Sequence, residues 1–326
     1  MRRPREMGYA RAPAKQAHAN RTRGRPRRAF PDARRSACGL LRGRTTEECK
    51  QAMRLAAVGD LHVKKTSQGA LQPLLAPVND HADLLLLCGD LTDYGLREEA
   101  AILAKELNAV VRIPVVAVLG NHDYESGQQE EVCRILTEAG VKVLDGEAHE
   151  IGGVGIAGAK GFSGGFGRAT LGAWGEQATK RYVQEAIDEA LKLEGALARL
   201  RTRQRIALLH YSPIRGTVEG EPLDIFPYLG TSRLEEPLNR HPVDVVFHGH
   251  AHHGALEGRT SAGTPVYNVA MPLLLQKYPD RPPFRVVELP QAPPSETEAA
   301  LLNARQKAGT QRPPIGEEAA PKSDRH

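Results

Sequence analysis

Leu84-Leu85-Leu86-Leu87-Cys88-Gly89-Asp90 runs five apolar residues into a glycine and a carboxylate. A short apolar run closed by a turn residue reads as a buried strand that delivers an aspartate at its carboxyl end. The same construction recurs along the chain. Residues 55–58 lead into Gly59-Asp60-Leu61-His62, residues 115–119 into Gly120-Asn121-His122-Asp123, residues 206–209 into His210, and residues 243–248 into Gly249-His250-Ala251-His252. Each block supplies Asp, Asn or His, the side chains that suit hard or borderline divalent cations such as Mn, Fe and Zn. In an α/β sheet the carboxyl ends of neighbouring strands face one edge, where ligands bind. The five blocks are therefore expected to meet.

Between and beyond the blocks, helical patterns alternate with strands, which favours an α/β architecture with mixed strands. A helix over residues 68–81, broken near Pro73 and Pro77, precedes the Leu84 strand, and an amphipathic helix over 96–110 follows it. A further helix covers 128–139 and ends at Gly140, a good cap. Short strands at 141–144, 148–151 and 154–159 follow, with Gly152-Gly153 suited to a hairpin turn. Residues 161–175 form a glycine-rich loop with Phe162, Phe166, Arg168 and Trp174. A long helix over 176–203 comes next, and strands at 265–270 and 285–289 close the pattern. Gly153-Val154-Gly155-Ile156-Ala157-Gly158 fits the G-x-G-x-x-G fingerprint, but it lies within a hairpin and opens no helix, so it is an accidental match.

The composition divides the chain. Its net charge is +5, yet residues 1–50 hold 13 Arg and 2 Lys against four acidic residues, a local balance of +11 that leaves −6 for the remainder. The high pI thus describes an arm, while the body is mildly acidic. The arm (residues 1–52) is rich in Arg, Pro, Ala and Gly and is expected to be a disordered extension, with no apolar stretch after Met1-Arg2-Arg3 to make a secretory signal. From residue 291 to 326 the chain turns to Pro, Ala, Glu and Lys without period, a second disordered tail, leaving 53–290 as the folded domain. No apolar run approaches the ~20 residues needed to cross a bilayer, and the mean hydropathy is -0.41. Cys38, Cys49, Cys88 and Cys133 show no paired spacing, a usage expected of a reduced, cytoplasmic protein.

Taken in order, the five blocks resemble the calcineurin-like metallophosphoesterase superfamily, whose signature runs D-x-H, G-D, G-N-H-D/E, H, G-H-x-H. The resemblance implies a four-layer α/β/β/α sandwich with two mixed sheets. It implies two divalent metal ions (Mn, Fe or Zn), the first on Asp60, His62, Asp90 and His252, the second on Asp90, Asn121, His210 and His250. It further implies a water bridging both ions as nucleophile and a catalytic role for His122, the non-ligand histidine of its block. Asp123, next to it in the chain, is expected to orient and charge the imidazole. Phe162 and Arg168 of the glycine-rich loop are candidates for substrate contact through stacking and phosphate pairing. His248 is expected to support the site from behind, and Asp93 to fix its loop.

Local words narrow the branch. Gly89-Asp90-Leu91-Thr92-Asp93 and Asp123 depart from the G-D-Y-V-D-R-G and G-N-H-E of protein Ser/Thr phosphatases, and nothing supplies the tyrosinate of purple acid phosphatases. Bacterial cyclic-nucleotide phosphodiesterases are more similar, although they commonly carry a His-His pair where this chain has His210-Tyr211. The expected activity is hydrolysis of a small phosphoester, a phosphodiester in preference to a monoester. The rivals are a nuclease that uses the same site with the Arg-rich arm on the polymer, and a metal-binding scaffold without turnover. No membrane partner is expected.

Overall fold

The computed structural model describes residues 52–289. The expectations for the Arg-rich extension and for the tail after residue 290 fall outside those residues. Eleven strands are described: β1 Met53–Val58, β2 Leu84–Cys88, β3 Val115–Val118, β4 Val141–Val143, β5 Glu147–Ile151, β6 Val154–Gly158, β7 Gln204–Leu208, β8 Val245–His248, β9 Glu257–Arg259, β10 Pro265–Asn268 and β11 Arg285–Leu289. The helices are α1 Gln72–Leu75, α2 Val78–His81, α3 Arg97–Val110, α4 Gln129–Glu138, α5 Gln177–Arg199, α6 Phe226–Leu229, α7 Glu235–Arg240 and α8 Met271–Lys277.

The strands form two mixed sheets, ordered β11-β1-β2-β3-β4 and β5-β6-β7-β8-β10-β9. β1 to β4 run parallel and β11 closes their edge antiparallel. In the second sheet β6, β7, β8 and β10 are parallel, flanked by antiparallel β5 and β9. The expected α/β class with two mixed sheets is what is found.

Strand alternation decides which face each residue buries. Leu55, Ala57, Leu84, Leu86 and Cys88 share a buried cluster with Ile156, Ile206, Leu208 and Phe247, so the sheets meet face to face. Ala56, Val58, Leu85 and Leu87 point the other way, against Leu103 and Leu107 of α3 and Val132 and Leu136 of α4. Ala157, Ala207 and Val246 do the same for the second sheet, against Leu193, Ala196 and Leu197 of α5. Because both faces of β2 are covered, all five of its residues are buried, which is why its sequence is a continuous apolar run and shows no alternation. Burying each such Leu contributes ~1.5–3 kcal/mol.

The helix expected over 68–81 resolves into two single turns. Pro73 sits in the first turn of α1 and Pro77 caps α2, so neither turn could continue into the other. The long helix stops at Arg199, four residues short of expectation, where Leu200 turns extended and buries its side chain. β5 and β6 are joined across Gly152 (φ 59°) and Gly153 (φ 86°), the pair of positive φ values that a two-residue hairpin of type I′ requires. G-x-G-x-x-G accordingly lies on β6 and opens no helix.

Candidate metal centre

Among the described residues, four that are not glycine have positive φ: Asp60 (58°), His62 (44°), Asp90 (48°) and His250 (70°). All four belong to the expected ligand set. A left-handed conformation costs a residue with a Cβ ~1–3 kcal/mol and persists only where the surroundings impose it. Here each residue lies two to four positions past the carboxyl end of β1, β2 or β8, in the loops at one sheet edge. Gly120 completes the cradle, since a Cβ on it would strike the backbone and carboxylate of Asp90.

The side chains converge as three triplets. Asp60, His62 and His252 present ligand atoms within 4.8 Å of one another, and so do Asp90, His210 and His250, and, at the rim, His62, Asp93 and His122. Asp60 is fully buried; its Oδ1 lies 3.0 Å from His252 Nε2, and its carboxylate accepts the backbone N–H of His250 at 3.0 Å. Asp90 faces the first two groups, with Oδ2 3.7 Å from His62 Nε2 and Oδ1 3.4 Å from His210 Nε2. Asn121 Oδ1 is 2.9 Å from His210 Nε2. All seven expected ligand residues are thus brought together.

The tautomers follow from the second nitrogen of each ring. His210 Nδ1 donates to the Cys88 carbonyl at 2.9 Å, which leaves Nε2 as a lone pair facing Asn121 and Asp90. His250 Nε2 donates to the Tyr228 carbonyl at 3.2 Å, leaving Nδ1 for the site. His62 Nε2 is buried without any hydrogen-bond partner, and a buried polar atom left so costs ~1–3 kcal/mol. Burial lowers the pKa of His62, and burial with the nearby His210 pushes His250 down to about 3. Both rings are then neutral at pH 7, the form in which an imidazole ligates a metal. Burial alone would raise the Asp60 carboxyl, but the His252 hydrogen bond and the surrounding imidazoles hold it below the ordinary carboxylate range. A neutral, partnerless lone pair beside convergent carboxylates is a donor set that fits divalent cations.

His122 lies at the rim, its ring 4.5 Å from that of His62. Its backbone N–H donates to Asp90 Oδ1 at 2.8 Å and its Nδ1 to the Asp93 carbonyl at 2.7 Å. Nε2 is therefore the atom left to exchange a proton. The expectation for Asp123 needs correction. Its carboxylate does not touch the imidazole; it is fully buried and accepts from Leu91 N, Thr92 N, Thr92 Oγ1 and Gly120 N at 2.6–3.1 Å. Asp123 clamps the loop after β2 to the loop after β3, and burial raises its pKa. Orienting His122 falls to the backbone carbonyl of Asp93, whose carboxylate also lies 3.3 Å from His62 Nδ1. The sequence signal was present in Gly89-Asp90-Leu91-Thr92-Asp93, but a carbonyl contact has no residue signature.

His248 is buried behind the site, with Nδ1 on the Gly249 carbonyl at 2.7 Å and Nε2 2.8 Å from Thr217 Oγ1. Burial pushes its pKa down to about 4. His253 is exposed. The glycine-rich loop is split: Phe166 buries into a small cluster with Val218, Phe226, Leu229 and Ala251 beneath the His250–His252 turn, whereas Trp174 is 74% exposed. Phe162 packs against Tyr182 and Tyr211, and Arg168 is exposed, with neither contacting the clustered ligands.

Residues 53–254 match the calcineurin-like phosphoesterase family, and the chain belongs to that family. Its members are metal-dependent phosphoester hydrolases, and so is this chain. Among solved structures, a phosphopantetheinyl hydrolase from Mycobacterium tuberculosis is similar, with TM-score 0.53 and 15% identity over 75% of this chain and 99% of that one. A putative 5'-nucleotidase from Staphylococcus aureus matches at TM-score 0.42 and 17% identity, over 78% of this chain and 58% of that one. Likeness at these identities speaks for the fold alone. No curated protein matches the sequence. No helix among the described residues is long and apolar enough to cross a membrane.

Proposed function

We propose that the protein hydrolyses a small phosphodiester at a centre of two divalent cations. Asp60, His62, Asp90 and His252 would hold one ion, and Asp90, Asn121, His210 and His250 the other. Bound there, the pair would supply Lewis acidity and positive charge to the phosphoryl group. The observation that carries the reading is the buried, partnerless Nε2 of His62 at the focus of these carboxylates. The chain's own residues do the rest. His122, held through Nδ1–H by Asp93, presents Nε2 to the leaving oxygen and delivers the proton that an alkoxide needs. Asp90 keeps His122 in place through its backbone N–H as well as facing both ligand groups. Asp123 holds the two loops at a fixed separation.

The test is hydrolysis of bis(p-nitrophenyl) phosphate by purified protein, stripped with chelator and then reloaded with Mn²⁺. Turnover should vanish on stripping and return on reloading. Metal that rebinds without any turnover on a panel of monoesters, diesters and cyclic nucleotides would favour a non-catalytic scaffold instead.

A further inference from the structure

Lys160 is 8% exposed and makes no ion pair among the described residues. Lysines that deep are rare unless paired. Its ammonium donates one hydrogen bond, to the Gly161 carbonyl at 2.9 Å, and lies 4.9–5.5 Å from the ring centres of Phe162, Tyr124 and Tyr211. Two of its three N–H groups are left over. Lys160 lines a cavity of about 340 Å³ together with Tyr124, Gln129, Glu130, Cys133 and Asp145, a volume in the range of small-molecule sites.

Two further groups lining the cavity lack partners. The Gln129 carboxamide makes no hydrogen bond among the described residues and its Oε1 is buried, and the Tyr124 hydroxyl likewise has none. Asp145 is already engaged by Lys192 at 2.9 Å and 3.1 Å. What remains unspent is the donor capacity of the ammonium and the phenol, with the buried Gln129 Oε1 as an acceptor beside them.

The position is as telling as the chemistry. Leu119, Leu144 and Lys160 follow the carboxyl ends of β3, β4 and β6, so the cavity opens on the same edge as the metal centre. Tyr124 shares a turn with His122. Tyr211, which follows His210, packs one way within 5.5 Å of the Lys160 ammonium and the other way 4.5 Å from the His250 ring. The Lys160 carbonyl accepts the backbone N–H groups of His210 and Tyr211 at 3.1 Å, which ties the cavity to the site.

We propose that this cavity receives the leaving alcohol of the phosphoester, and that this alcohol bears a carbonyl or carboxylate, whose oxygens accept from Lys160 and Tyr124. The inference rests on the phosphoesterase reading above. It is tested with metal-loaded full-length protein on two aryl esters, each as the monoester and as the methyl diester, with the 4-position of the leaving phenol carrying either carboxylate or methyl. The readout is the ratio of kcat/KM for carboxylate over methyl. Wild type should favour carboxylate by about tenfold or more, about 1.4 kcal/mol per tenfold; Lys160→Met should collapse the ratio toward one, and Lys160→Arg should restore part of it. A wild-type ratio near one would overturn the proposal, and so would an equal loss on both esters in Lys160→Met, which is what a purely structural lysine gives. If no ester is turned over, the phosphoesterase reading fails, and the cavity is then judged by saturation-transfer NMR with 4-hydroxybenzoate and 4-methylphenol. Selective binding of the benzoate by wild type and not by Lys160→Met supports the cavity; no selectivity overturns it.

Discussion

In the proposed mechanism, His122 is the residue at which binding and chemistry separate. It is absent from the triplets built on Asp60 and Asp90, although it forms a group of its own with His62 and Asp93, and its Nδ1 is taken by the Asp93 carbonyl. His122→Ala should therefore leave bound metal intact while turnover falls by about 10²–10⁴. The fall should be smaller for p-nitrophenyl esters than for alkyl esters, because a good leaving group needs little protonation. Metal analysis that shows loss of an ion in this variant would place His122 among the ligands. The clustering of the seven proposed ligand residues was legible in the sequence, because each sits in a polar block that follows an apolar run and carries metal-binding chemistry. The role of Asp123 was misread: adjacency in the chain suggested a partner for His122, whereas the short helical turn at His122–Tyr124 sends successive side chains in different directions. The lone pairs and carbonyls that fix the tautomers of His210, His250 and His122 left no trace in residue type.

At the scale of elements, the site depends on how the loop after β2 is held against the loop after β3. Asp123 makes that join by accepting three hydrogen bonds from Leu91 and Thr92, two of them from backbone N–H groups, and accepts a fourth from Gly120 N within its own loop. Asp123→Asn puts an amide N–H₂ where one oxygen accepts, so at least one buried donor loses its partner, at ~1–3 kcal/mol. A lowered melting temperature is expected, together with an activity loss of similar size for good and poor leaving groups. A loss that tracks leaving-group quality, as for His122→Ala, would return Asp123 to the acid–base machinery. Strands were easier to anticipate than helices here. β2 and β3 are buried on both faces and read as unbroken apolar runs, whereas α1, α2 and α6 are single turns whose ends are set by proline and by packing. The three-residue β9 has no pattern of its own and exists by pairing with β10.

Across the whole molecule, two mixed sheets packed face to face bring residues from five strands to one edge, over a sequence span from Asp60 to His252. The order of the blocks anticipated the convergence, but not the adjoining cavity, since Lys160, Gln129 and Tyr124 come from separate segments and share no motif. The strained backbone at Asp60, His62, Asp90 and His250 is explicable if those side chains serve a common centre. Asp90 is the residue that faces both ligand groups, and one measurement addresses that directly: metal content per chain, by elemental analysis after equilibration with Mn²⁺, for wild type and Asp90→Asn. Wild type should hold two ions, and Asp90→Asn should hold one or none with turnover lowered by about 10³ or more. Two tightly bound ions and undiminished turnover in Asp90→Asn would contradict a centre bridged by this carboxylate.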